Sequence, residues 1–445
     1  MFSHRRRQLL SRSAKTLALA PWIAAITTLA WSKSRNQTLR VMLPSIPYFE
    51  LIKQSLKKIS LSTGIQIEVD IFPYLEMRKI QLNELQKKTG KYDLIILLTA
   101  WKTEYVRLNL LADLNTEQKN GRLTIDQIDD FIPAFLTVAG KVGGARGYLD
   151  GPRARLYALP MGTETSIMVY RSDIFKKHGW KAPQNYDELL ALIALIRQRE
   201  PGLIPLCSRG ARGHQITHAW LLHFNSYGGE VFDNDWQPRV NSAAGIKAIE
   251  ILKIIHSTTK DGILKNNFAD MGNAFITGEA VMYVDSSFIS NIINDRVKSS
   301  VQDKVAYALH PKGTIHSSET GGFAIAVPRN APSINQALQI LSSLTTRAQE
   351  KAMARIGGIP VRNSTLRDPE LRILFPEYTV LEKQIDYANP DWRPIIPEWA
   401  IINEEILGNL IHDAVAGLIT PVAALELAQE KIRSVMRQSG YYKKR

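Results

Sequence analysis

The chain has one cysteine in 445 residues, Cys207, so no disulfide can form within it. Its neighbours Ile204 and Leu206 are apolar, the setting of a buried thiol. No uninterrupted apolar run reaches the roughly twenty residues that a bilayer-spanning helix needs; the best, Thr16–Trp31, is broken by Pro21. Acidic residues are missing from positions 1–35, which hold seven of the 56 Lys and Arg. Half of the formal charge of +14 therefore sits there, and no Lys/Arg stripe interleaved with aromatics follows it, which argues against a nucleic-acid partner. Also missing are a P-loop, a G-x-S-x-G elbow, an H-E-x-x-H helix and a G-x-G-x-x-G turn between strand and helix. Internal repeats and low-complexity tracts are absent as well.

What is present begins with a targeting pattern. Met1–Lys15 is a charged region and Thr16–Trp31 an apolar one, which predicts a secretory signal over residues 1–35 rather than a retained anchor. Arg6-Arg7-Gln8-Leu9-Leu10 resembles the twin-arginine export pattern. A lipid anchor needs a cysteine at the cleavage point, so the expectation is a soluble periplasmic protein, with the mature chain starting near Ser32–Asn36.

At this length two domains are the natural expectation. Leu39–Leu43 predicts a strand and Phe49–Ser60 a helix, while Ile65, Ile67, Val69 and Ile71, alternating with Gln66, Glu68 and Asp70, predict a half-buried strand. A helix near Glu76–Lys88 and the apolar run Asp93–Leu98 complete a β-α-β-α-β order, hence a doubly wound sheet with right-handed crossovers. Ligands of such sheets sit beyond the carboxyl ends of the strands, here Pro44–Tyr48 and Thr99–Trp101. Later helices are predicted over Tyr186–Gln198 and Asn241–His256, with the apolar stretch Thr217–Phe224 between them. A last helix is capped by Thr420, with Pro421 at its first position and Leu425, Ile432, Val435 and Met436 inward.

The segment Tyr157–Ile196 is the most telling. Leu156–Met161 and Thr165–Tyr170 predict two strands with Gly162 between them, and Asn185, three residues before Glu188, predicts a helix cap. With Tyr170, Arg171, Asp173, Phe175, Gly179, Pro183, Tyr186, Glu188 and Leu189 in place, this segment resembles the run that links the lobes of extracellular solute-binding proteins of sugar-type ABC importers. Phe275, Gly278, Ala280 and Met282 are similar to a second motif of that family. Thr320–Pro328 resembles its return strand, and Gly357–Arg362 its third crossing. The resemblance implies an α/β, two-lobed periplasmic binding protein fold of type II, like that of maltose-binding proteins. Each lobe would be a doubly wound sheet, with a multi-strand hinge between them. Residues 36–162 and 317–358 would form the first lobe, and 163–316 and 359–445 the second, including the carboxyl-terminal helices. Also implied are capture of a carbohydrate (sugar, oligosaccharide or polyol) in the interlobe cleft and delivery to ABC permease subunits in the inner membrane. No cofactor, no catalysis and a monomeric state go with that reading.

A sugar pocket needs flat aromatic faces for ring C–H groups, and amides or carboxylates for hydroxyls. Trp101 directly follows the third strand, and either presents such a face or packs beneath the next helix. Tyr48, at the end of the first strand, lines the cleft or packs on Pro47. Thr163 and Glu164 lie in the linker turn, facing ligand or solvent. Asp285 and Ser286 end the Val281–Val284 strand as ligand contacts, as a helix cap, or as both. Gly321 and Gly322, beside Glu319, let backbone approach a ligand or simply form a turn. Trp392 and Trp399 offer two further faces, at least one of them a filler between helices, and Trp220 reads as core.

His214, His218 and His223 share a helical spacing but read as ordinary histidines, and Asp233-Asn234-Asp235 reads as a turn rather than a calcium loop, so no metal is expected. Two alternatives remain. The same fold can hold a polyamine, an organic anion or a metal chelate, which a charge-lined cleft without stacked aromatics would favour. An exported glycoside-active enzyme would need two facing carboxylates about 5–10 Å apart.

Overall fold

The computed structural model describes residues 38–295 and 297–442, and the expected export signal lies outside them. Apolar alternation and continuous apolar runs place three parallel strands, β1 (Leu39–Pro44), β2 (Ile67–Phe72) and β3 (Leu94–Leu98), in the order β2-β1-β3. Their crossovers are α1 (Pro47–Thr63) and α2 (Tyr74–Leu85). β1 and β3 are almost wholly buried, as continuous apolar strands must be when both sheet faces are covered.

The chain then forms β4 (Leu159–Glu164), passes Thr165, and continues as β5 (Ser166–Arg171) into a second sheet. There β6 (Ile204–Cys207), β7 (Ala280–Ser286) and β8 (Val305–Ala308) complete the order β8-β5-β7-β6, with only β6 and β7 parallel. The helices of this second lobe include α3 (Tyr186–Arg199), α4 (His214–Ser226), α5 (Ala243–Thr258) and α6 (Phe268–Ile276). The Asn185 side chain caps α3 by accepting the Glu188 N–H at 2.9 Å. The return strand, β9 (Gly321–Ala326), slots between β3 and β4 and runs antiparallel to both. After it come α7 (Ile334–Leu344) and finally α8 (Pro421–Gln438), which Thr420 caps and which packs on α5.

Two positions differ from the sequence reading. The break between the linker strands falls at Thr165, not Gly162. Gly162 lies within β4 at φ +73°, and a Cβ there would meet the Tyr48 ring at 2.9 Å. Across from it Gly322, at φ +76°, marks an irregularity in the β4–β9 pairing. The glycine thus serves a close approach rather than a turn. The lobe boundary expected at 359 also moves. Val361 accepts a backbone hydrogen bond from Ile132, and Arg362 pairs with Phe131. The buried Arg362 guanidinium lies 3.7 Å from the Phe131 ring centre and donates to the carbonyls of Asp126, Gln127 and Thr345. Val361 and Arg362 therefore pack with the first lobe, and the helix Glu377–Ile385 is the one that reaches β5 and β8. Among the described residues no helix is long and apolar enough to cross a membrane.

Candidate functional site

A cavity of about 360 Å³ lies between the two sheets, where the strands of both lobes end. Its first-lobe wall comes from Ser45–Pro47 after β1, Leu98 of β3, Tyr74 of α2 and Phe323 of β9. Arg209 after β6, Gln215 and His218 of α4, Phe268 of α6, and Ser286 and Phe288 at and beyond the end of β7 form the other side. This is the strand-end placement expected of an open α/β sheet.

Its polar floor is a set of buried ion pairs. Arg209 donates to Asp285 through Nε at 2.9 Å and through Nη2 as well. Arg393 Nη2 donates to Glu319 Oε1 at 2.6 Å. His218 sits between the two carboxylates, its Nε2 3.3 Å from Asp285 and 3.2 Å from Glu319. Burial alone would raise the pKa of Asp285, but Arg209 and His218 outweigh it and hold that carboxyl well below its ordinary value. Glu164 behaves in the opposite way: burial first, then the neighbouring Glu319 carboxylate, push it well above the usual range. The ligand atoms of His218, Asp285 and Glu319 lie within 4.8 Å of one another, a spacing that could suit a metal ion. Both carboxylates already hold guanidinium groups, however, whose charge opposes a divalent cation.

Among the contacts that tie the lobes together, two are made by residues that line the cavity. Gln215 Nε2 donates to the Tyr74 hydroxyl at 2.9 Å. Phe288 packs edge-on against Tyr48 at 5.7 Å and Phe323 at 6.1 Å between ring centres.

Of the residues singled out from the sequence, Glu164, Ser286 and Gly322 line this cavity, and the Ser286 hydroxyl donates to Glu164. Asp285 stands behind it in the ion-pair floor, and Gly321 backs onto Arg393 and Glu319, where a Cβ would have no room. Thr163 is buried, its hydroxyl donating to the Phe323 carbonyl at 2.8 Å. Tyr48 is buried in the core beside Phe49, Gly162 and Phe288, with its hydroxyl 3.7 Å from Met161 Sδ, so it packs rather than lines. Trp101 and Trp399 face a separate cavity of about 120 Å³ that adjoins the first at Leu75, Leu98 and His214. Trp392 is buried between His218 and the Arg393 guanidinium. The aromatic faces in the main cavity are instead Tyr74, Phe268, Phe288 and Phe323. His223 pairs with the Tyr186 hydroxyl at 2.7 Å and His214 with Asn403 at 3.0 Å, so the helical histidines serve different partners. Asp233 closes a turn on the N–H groups of Asp235 and Gln237, and Trp220 is core, donating to the Gly245 carbonyl.

Sequence reasoning missed Arg209 and Arg393. No local pattern marks the first: the parallel pairing of Cys207 with Tyr283, continued two residues, is what sets Arg209 opposite Asp285.

The model of the family described as bacterial extracellular solute-binding protein matches residues 53–351. A probable amino-acid ABC transporter periplasmic-binding protein of Sinorhizobium fredii is 25% identical over 443 residues, 96% of this chain and 98% of its own length. A mannitol-binding protein of Pseudomonas aeruginosa is 26% identical over 313 residues, 65% of this chain and 72% of its own. Among solved structures, an ABC transporter solute-binding protein from Agrobacterium radiobacter in complex with ribitol superposes with a TM-score of 0.80 at 24% identity, covering 89% of this chain and 98% of that one. At that identity the likeness speaks for the fold.

Proposed function

Because the chain belongs to the bacterial extracellular solute-binding proteins, we propose that it captures a neutral polyhydroxy solute, a sugar or polyol, in the interlobe cleft. It then hands that solute to the permease of an ABC importer. The two lobes bend about the β4–β5 linker and β9, and the closed form, stabilised by its extra ligand contacts, is what the permease recognises. Export places it outside the cytoplasmic membrane, in the periplasm, as a monomer.

The observation that carries this reading is the paired ion floor. Arg209 with Asp285, and Arg393 with Glu319, fix donors and acceptors in place but leave little uncompensated charge. Such a surface suits hydroxyl groups, whereas an anion, a polyamine or an amino acid would need an unpaired countercharge. Phe268, Phe288 and Phe323 supply apolar faces for the C–H side of the solute. The mannitol and ribitol of the relatives above are solutes of this kind. Glycoside cleavage is not part of the proposal, since two of the three carboxyls here are committed to guanidinium groups. Isothermal titration against mannitol, ribitol, glucose and maltose, beside glutamate, arginine, putrescine and citrate, tests it. The expected result is micromolar binding of at least one member of the first group, and a preference for any of the second overturns the reading.

A further inference from the structure

Glu164 supplies the single carboxyl that lines the cavity among the described residues. Unlike Asp285 and Glu319, it holds no guanidinium. It ends β4, at the hinge, and meets Ser286 from the end of β7 in the other lobe. The Ser286 hydroxyl oxygen accepts the Phe288 N–H at 3.1 Å, and its O–H donates to Glu164 Oε2. Oε1 has no protein partner among the described residues.

We propose that Glu164 is a neutral carboxylic acid in the closed cleft, donating a hydrogen bond from Oε1 to a ligand oxygen, so that capture of the solute weakens as the pH rises. This rests on the polyhydroxy-solute reading and adds a proton to it. Where the open cleft leaves Glu164 ionised, closure takes up one proton from solvent. An ionised Glu164 would place a second negative charge beside Glu319 in a space that closure is emptying of water. The groups that face it are Asp285 and Ser286 from β7, Glu319 ahead of β9, and Tyr74 of α2. Arg209, His214 and His218 flank the cavity from the β6–α4 side, Arg393 from the segment before the Ile401–Leu407 helix, and Lys298 from the rim. Both arginines favour ionisation but are engaged by the other two carboxylates.

The test is calorimetric titration of the full-length exported protein with D-mannitol from pH 5 to 9, in two buffers of different ionisation enthalpy, for the wild type and Glu164→Gln. The wild-type Kd is expected to rise by up to tenfold per pH unit once Glu164 ionises, with up to one proton taken up per solute bound. Glu164→Gln is expected to bind without pH dependence. A flat wild-type profile overturns the proposal. A pH dependence that survives in Glu164→Gln also overturns it, because the proton then belongs to another group. If mannitol fails to bind at any pH, the solute assignment is what fails for that compound, and unfolding in the presence of whichever sugar or polyol does bind decides the proton. A buried acid whose pKa is raised stabilises the fold below its unfolded value and loses that stability as the pH rises through the folded one. With solute saturating, which holds the cleft closed, the wild-type Tm should therefore fall relative to that of Glu164→Gln as the pH rises from 5 to 9, and parallel curves overturn the proposal.

Discussion

Asp285 shows what one buried carboxylate does here. It holds the Arg209 guanidinium in place and faces His218 on its other side. Asp285→Asn would leave the arginine buried without its countercharge, a loss of roughly 3–5 kcal/mol. Urea denaturation should show that loss, and solute binding should disappear with it. Glu377 is a different case: its carboxyl is buried with the Asn294 amide at 3.3 Å and its own backbone N–H as partners, and burial pushes it up to about 7. Its unfolded value is near 4.3, so the folded chain holds the proton more tightly. That contribution is complete below about pH 4 and is lost as the pH rises through 7, a change of roughly 4 kcal/mol. Stability of the wild type relative to Glu377→Gln should fall across that window in denaturant titrations at a series of pH values.

At the scale of elements, strands and caps were legible because their signals are local. The Ile67–Ile71 alternation and the Leu94–Leu98 run each formed the strand they imply, and Asn185 caps α3 as its spacing to Glu188 suggests. Asn185→Ala should therefore cost about 1 kcal/mol by thermal unfolding, without change in affinity. The site was less legible, because it depends on which strands become neighbours. Asp285 could be singled out as a charged residue ending an apolar strand, but its partner Arg209 sits 76 residues away and meets it only through the β6–β7 register. The tryptophans mislead for a related reason: a large aromatic near a strand end satisfies core and cleft equally well, and here the main cavity took phenylalanines instead. Gly162 read as a turn because its conformation is local, while the Tyr48 ring that demands it comes from far away in the chain. Gly162→Ala combines a left-handed backbone with that clash and should lower the Tm markedly, with a stability loss of about 1–3 kcal/mol.

For the molecule as a whole, the lobes already touch through Gln215 and Tyr74. A bond that exists only in the closed arrangement raises the closed population before any solute arrives. Gln215→Ala should open the free protein, seen as a larger radius of gyration in solution scattering, and weaken solute binding by several-fold while leaving the fold intact.

The matched arginines and carboxylates beneath the cavity also bear on where such a protein works. The space outside the cytoplasmic membrane follows the salinity of the surroundings, and a receptor drawing its solute through an open electrostatic field would lose sensitivity whenever that salinity climbed. Charges buried and cancelled in pairs project almost no field into solution. Its reading of solute concentration should therefore stay the same in brackish and in dilute water.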